Sequence, residues 1–269
     1  MSDITLARPA SRSSASRPST GFRDTVTMID RCVRLSRRNM DALITALLLP
    51  IMLMLMFVYL FGGAINTGTA YVTYVVPGVI LLCAGFGSAT TAVSVSQDMR
   101  NGIIDRFRSM DIGPAALLTG HVIASVVRNL ASSVLVFGVA LAIGFRPHAS
   151  VVQWAATIGV LALFMLAVSW FAAMVGLFAT SPEAASGFTF LVMFLPYASS
   201  AFVPIATMPG WLHGFSRHQP CTPVIESIRA LLAGHAAGSN ASVAAIWCVA
   251  ILAVSVAGST FAFRRRTAA

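Results

Sequence analysis

Ser88, His121 and Arg128 are the residues of this 269-residue sequence whose types could do chemistry inside long apolar runs. Ser88, within GFGSAT, could act as an intramembrane nucleophile with His121 as its base. Small residues in an apolar helix more commonly mark close helix packing, and Gly85, Gly87, Ser88 and Ala89 fit that description. His121 and Arg128 are seven residues apart and share a helical face, which suits anchoring at the inner interface or contact with an inner basic segment better than it suits a proton relay. Ion-coupled carriers place carboxylates or histidines near the middle of their spans, and in these apolar runs His121 and Arg128, near the inner end of theirs, are the only candidates. His148, His213, His218 and His235 make no metal-ligand spacing and read as surface residues. Cys32, Cys83, Cys221 and Cys248 make no C-x-x-C pair and read as small core residues. No metal and no cofactor is expected on this chain. All 18 basic residues are arginine, which removes the P-loop lysine and Schiff-base chemistry together. Any ATP hydrolysis, with its magnesium, must then belong to another polypeptide.

The polar stretch 96–114, SQDMRNGIIDRFRSMDIGP, lies between two long apolar runs and holds three of the nine acidic residues. As a helix it places Ile103, Phe107 and Met110 at i, i+4 and i+7, edged by Asp105, Arg106 and Arg108. That pattern suits the groove of a partner protein. It also suits a solvated loop whose arginines only set topology.

The elements that must position these residues are membrane spans. The chain is 57% hydrophobic and 10% charged, with a mean hydropathy of +0.81, which places it among integral membrane proteins of the all-α class. Its net charge of +9 comes from arginine clusters beside apolar runs rather than from one basic face, so membrane lipid is a better partner than nucleic acid. Residues 1–21, rich in Ser, Arg, Pro and Ala, read as a disordered cytoplasmic tail, and residues 22–266 read as one transmembrane domain. Residues 22–40 read as an amphipathic basic helix on the inner membrane surface. Six spans are predicted, at 42–65, 74–95, 117–145, 154–178, 184–206 and 241–263. Pro50 is expected to kink the first, and Pro196 and Pro204 to break the fifth. The longest connection, 207–240, should dip back toward the membrane through a short helix at 224–232, in which Glu226 and Arg229 at i and i+3 can pair. With both termini cytoplasmic, 15 arginines lie inside and only Arg146, Arg217 and Arg229 lie outside, as the positive-inside rule requires.

Several blocks together resemble a known family. FVYLFGGAI ahead of YVTYVVPGVILL, then the 96–129 stretch, then SPEAASGFTFLVMFLPYASSAFVPIATMPGWLHGFSRHQPCTPVIESIRALLAG, are similar to ABC type-2 permeases of the daunorubicin/doxorubicin-resistance branch. The similarity covers roughly residues 31–266. It implies a multi-pass subunit of a bacterial plasma-membrane exporter, paired as a dimer and driven by a separate cytoplasmic ATP-binding subunit. It also implies that the motor grips Arg100, Ile103, Ile104, Asp105, Arg106, Phe107 and Arg108, and that an outer re-entrant segment carries Pro220, Pro223, Glu226 and Arg229. Gln219 stands where family members commonly carry asparagine. The cargo surface should be apolar and aromatic, with Phe57, Phe86, Phe190, Phe194 and Phe202 as candidates. Two alternatives are an ATPase-independent secondary efflux carrier, which needs a titratable group in a span, and an intramembrane hydrolase, which needs Ser88.

Overall fold

The computed structural model describes residues 40–65, 67–101 and 114–268. The tail at 1–21, most of the expected basic helix at 22–40 and positions 102–113 of the polar stretch lie outside the described residues. All regular structure among the described residues is helical. This follows from an apolar chain in lipid, where only a helix satisfies its backbone N–H and C=O groups within one segment. The helices are α1 (Met40–Met56), α2 (Tyr71–Arg100), α3 (Pro114–Ala142), α4 (Val151–Phe178), α5 (Pro182–Met193), α6 (Gly210–His218), α7 (Cys221–Leu232) and α8 (Ser239–Ala268). A π-helical turn, Phe57–Phe61, continues α1.

Four described helices have the length and apolarity to cross a membrane: Tyr71–Arg100, Leu117–Ala142, Val151–Phe178 and Ser239–Ala262. Leu48–Phe61 is a shorter apolar helix. The centre of the bundle is α2, which packs on α1, α3, α4, α5 and α7. Val75, Val76, Val79, Leu81 and Leu82 on α2 have no exposed surface. α8 lies at the periphery on α4 and α7, with Ile246, Val249 and Val254 turned outward.

The predicted boundaries shift for local reasons. Helix α2 runs on through Ser96 to Arg100, so the polar stretch begins as helix and leaves it only at Asn101. Helix α4 starts at Val151, three residues before the predicted span, because Ser150 and Gln153 form a capping box. The Ser150 hydroxyl accepts from the Gln153 N–H (3.4 Å) and the Gln153 side-chain oxygen accepts from the Ser150 N–H (2.7 Å). Pro50 sits inside α1, and the departure from α geometry comes later, at the π turn. The largest difference is in the fifth expected span. Helix α5 has 12 residues, about 18 Å, and stops at Met193; Phe194–Phe202 then follow as turns. Pro196 cannot donate to a continuing helix, and Pro204 repeats the interruption.

Helices α2 and α4 meet at Gly176. A Cβ there would lie 2.5 Å from the Ala92 carbonyl oxygen and 3.0 Å from the Val95 Cβ, neither of which can swing aside as a flexible side chain would. Gly176→Leu is therefore expected to destabilise the bundle by about 2 kcal/mol. On heating in detergent it should lose its monodisperse elution peak well before the native chain. Gly138→Leu, at a position where a Cβ meets no atom within 4 Å, should not.

Candidate functional site

At one end of the bundle the stretch 195–203 after α5 is irregular yet buried or half-buried, a combination tolerated at membrane depth only if its backbone polar groups find partners. Three side chains supply them. Gln219 donates its amide N–H to the Leu195 carbonyl (2.9 Å), Arg229 donates to the Ser200 carbonyl (2.7 Å), and the Tyr71 hydroxyl donates to the Phe202 carbonyl (2.9 Å). Each acceptor sits in the turn region after α5, and the donors come from α2, from the α6–α7 junction and from α7.

Arg229 makes the most extensive of these contacts. Its Nη1 donates to Glu226 Oε1 (2.7 Å), its Nη2 to the Tyr74 carbonyl (3.0 Å), and its Nε to that same carbonyl (3.3 Å). The guanidinium carbon lies 3.7 Å from the centroid of the Tyr74 ring, a cation–π contact. A planar fork with five donors can serve a carboxylate, two backbone carbonyls and a ring at once; a lysine ammonium could not. The predicted i, i+3 pair forms, and its larger use is to fasten α7 to α2 and to the broken segment.

Helix α7 can occupy this buried place because of its two prolines. Pro220 stands at the N-cap with α-region angles, and Pro223 falls in the first turn, where its missing N–H would have had no intrahelical acceptor. Val224, Ile225 and Ile228 then bury against α2, α4 and α8. The far end of α7 is tied to the α3–α4 turn: the His148 N–H donates to the Leu232 carbonyl (2.9 Å), and Gln153 donates to the His235 carbonyl (3.3 Å).

Of the aromatic candidates, two come together. Phe57 and Phe202 stack with centroids 4.4 Å apart, and Tyr197 stacks on Phe202 at 5.3 Å. Phe194 reaches the group through Tyr197, at 6.0 Å, and is about half exposed. Phe86 lies apart, on α2 itself, and is half-buried against the core. The side chain of Phe190 lies outside the described residues.

At the opposite end, Arg100 is exposed in the last turn of α2. Ile103, Ile104, Asp105, Arg106, Phe107 and Arg108 lie outside the described residues. The α4–α5 turn stands near Arg100: the Glu183 carboxyl is held below the usual carboxylate range by its own backbone N–H, by the Ser181 hydroxyl and by the charge of Arg100. Ser181 also caps α5 through the Ala184 N–H (3.1 Å).

Between the two ends, α2, α3 and α4 share buried polar groups. Arg128 donates to the Gly87 carbonyl (2.8 Å) and to Thr91 Oγ1 (3.2 Å). His121 Nε2 lies 3.0 Å from Asp98 Oδ2. The seven-residue spacing thus places both side chains against α2. Ser88 is 3.3 Å from Ser169, which donates to Ser125 at 3.0 Å, and Asn129 donates to Ser88 at 3.4 Å. Ser88 is fully buried with its hydroxyl against Ser169 and Asn129, whereas His121 meets α2 further along, at Asp98, so the imagined nucleophile–base pair is not formed. Tyr74, Asn129 and Asp98 were not among the predicted site residues. A lone amide beside Arg128 in an apolar run was the one sequence signal that could have flagged Asn129.

The sequence pattern of the ABC-2 type transporters matches residues 23–233. This chain belongs to that family. The permease is similar to a daunorubicin resistance ABC transporter permease protein of Streptomyces coeruleorubidus, 31% identical over 214 residues, covering 79% of this chain and 76% of the relative. It is also similar to a doxorubicin resistance ABC transporter permease protein of Mycobacterium tuberculosis, 22% identical over 243 residues and 90% and 88% of the two chains. A transport permease of Cyanophora paradoxa is 26% identical over 207 residues, 74% and 70% of the two. With its long apolar helices, the permease is a multi-pass integral membrane protein.

Proposed function

We propose that this permease is the membrane-spanning subunit of an ATP-driven exporter that moves an amphiphilic drug, antibiotic or lipid-like solute out of the cell. The observation that carries this reading is the family match over 23–233, joined to relatives named for daunorubicin and doxorubicin resistance that align over most of their own length. The bacterial members of that set, together with the arginine distribution, favour a plasma-membrane protein with six crossings and both termini in the cytoplasm. ATP and magnesium would be bound by a separate cytoplasmic subunit, because this chain has no lysine to complete a P-loop. Arg100, Ile103, Ile104, Asp105, Arg106, Phe107 and Arg108 would form the surface that the motor grips, and two permease copies would face each other as a homodimer in the lipid.

Alternating access then follows from the parts. Closure of the motors draws the inner loops together and tilts the spans, and the outer segment with Pro220, Pro223, Glu226 and Arg229 moves as one unit with α2 because Arg229 holds both. Phe57, Phe194 and Phe202, with Phe86 and Phe190, would offer the solute an aromatic surface. The test is uptake of daunorubicin by inverted membrane vesicles. Vesicles holding the permease together with a candidate P-loop ATPase subunit should accumulate drug on addition of ATP, and neither subunit alone should do so. Uptake by the permease alone, driven by a proton gradient, would instead establish the secondary carrier.

A further inference from the structure

A cavity of about 140 Å³ lies where α2, α4 and α8 meet the two chain breaks that flank the outer segment. Leu82, Phe164, Val168 and Phe171 line it together with Pro196 and Pro220. Its origin is local. Pro196 lies in the turns that follow α5 and Pro220 at the N-cap of α7, so two short, rigid side chains meet where a continuous helix would have projected a larger one. All the lining residues are apolar, so a water inside would have none of the two to four polar partners that hold buried water. The recess is open on one side, and where no guest fills it the side chains that line it forfeit dispersion contacts. Its volume is close to that of an apolar cavity of about 150 Å³ that stays dry and takes up benzene.

We infer that this cavity is a binding site for a neutral, apolar guest the size of one aromatic ring, held inside a single subunit. Gly85, Phe171, Leu195 and Ile251 on its lining are only half-buried, which gives a membrane-dissolved solute a way in. Two phenyl faces, Phe164 and Phe171, suit a ring through edge-to-face and offset contacts. A whole acyl chain is too long for the volume. The site is separate from the Phe57–Phe202 stack and does not depend on the export reading. It adjoins the outer segment, since Leu195, whose carbonyl accepts the Gln219 amide, lines the cavity beside Pro196, and Gln219 directly precedes Pro220. A guest therefore touches both sides of that hydrogen bond.

The experiment is anomalous diffraction from crystals of the full chain grown in a lipid mesophase and soaked with iodobenzene. A parallel crystal is grown with a phospholipid brominated at the end of one acyl chain. An iodine peak between Phe164 and Val168 in the native chain is expected, with none in Val168→Phe or Ile251→Phe, which fill the cavity from α4 and from α8. No iodine peak in the native chain, or an undiminished peak in both filled variants, overturns the site. A bromine peak there with no iodine peak overturns the ring-sized occupant in favour of a lipid tail. The native crystals decide the matter even if one variant fails to fold.

Discussion

The Phe107→Asp, Arg106→Glu double variant is expected to lose its ATP-binding subunit on co-purification in detergent and, with it, drug-stimulated ATP hydrolysis. Phe107 is the centre of the apolar stripe in the polar stretch and Arg106 is one of its charged edges. A buried aromatic anchor and an arginine are the residue types that dominate protein interfaces, at about 2 kcal/mol or more each. Removing both should weaken the complex by more than about 100-fold. Elution of the variant as the same folded species as the native chain is the necessary control. Retained binding and turnover would mean that the arginines there serve only topology and that a motor docks elsewhere.

Arg229→Met should have the largest effect on the outer segment. It removes the donors to the Tyr74 and Ser200 carbonyls and leaves the Glu226 carboxylate without its cation. Breaking a buried, hydrogen-bonded charge typically costs about 3–5 kcal/mol, and the one-third exposure of Glu226 puts the expectation near the lower figure, about 3 kcal/mol. Glu226→Gln should cost far less, about 1 kcal/mol, because Arg229 keeps both carbonyls and the Tyr74 ring. Arg229→Lys should not restore stability, since an ammonium lacks the planar fork. Thermal unfolding in detergent with transport in vesicles measures all three. Equal losses in Arg229→Met and Glu226→Gln would show that the ion pair, rather than the carbonyl contacts, holds the segment.

The same arrangement shows how far the sequence could be read. The Glu226–Arg229 pair is legible because i, i+3 neighbours meet on any helix, whatever surrounds it. The Arg229–Tyr74 contact is not, because it joins positions 155 residues apart and exists only when α7 packs against the start of α2. His121 and Arg128 could be placed on one face from their spacing, but which helix that face meets is a property of the bundle. For Gln219, the sequence left the partner of its amide undetermined, and in the fold it reaches the Leu195 carbonyl.

Composition and periodicity decided the class of this protein. A chain that is 57% hydrophobic, with arginines grouped beside apolar runs long enough for helical spans, satisfies its backbone in lipid by forming helices. Those properties are local or summed along the chain, so no tertiary contact is needed to read them. The tertiary structure decided which side chains take up the carbonyls freed where the fifth helix stops, and that Pro196 and Pro220 come to line one apolar cavity. Each of these depends on residues far apart in sequence coming within hydrogen-bond or van der Waals distance, and that is settled only when the helices pack.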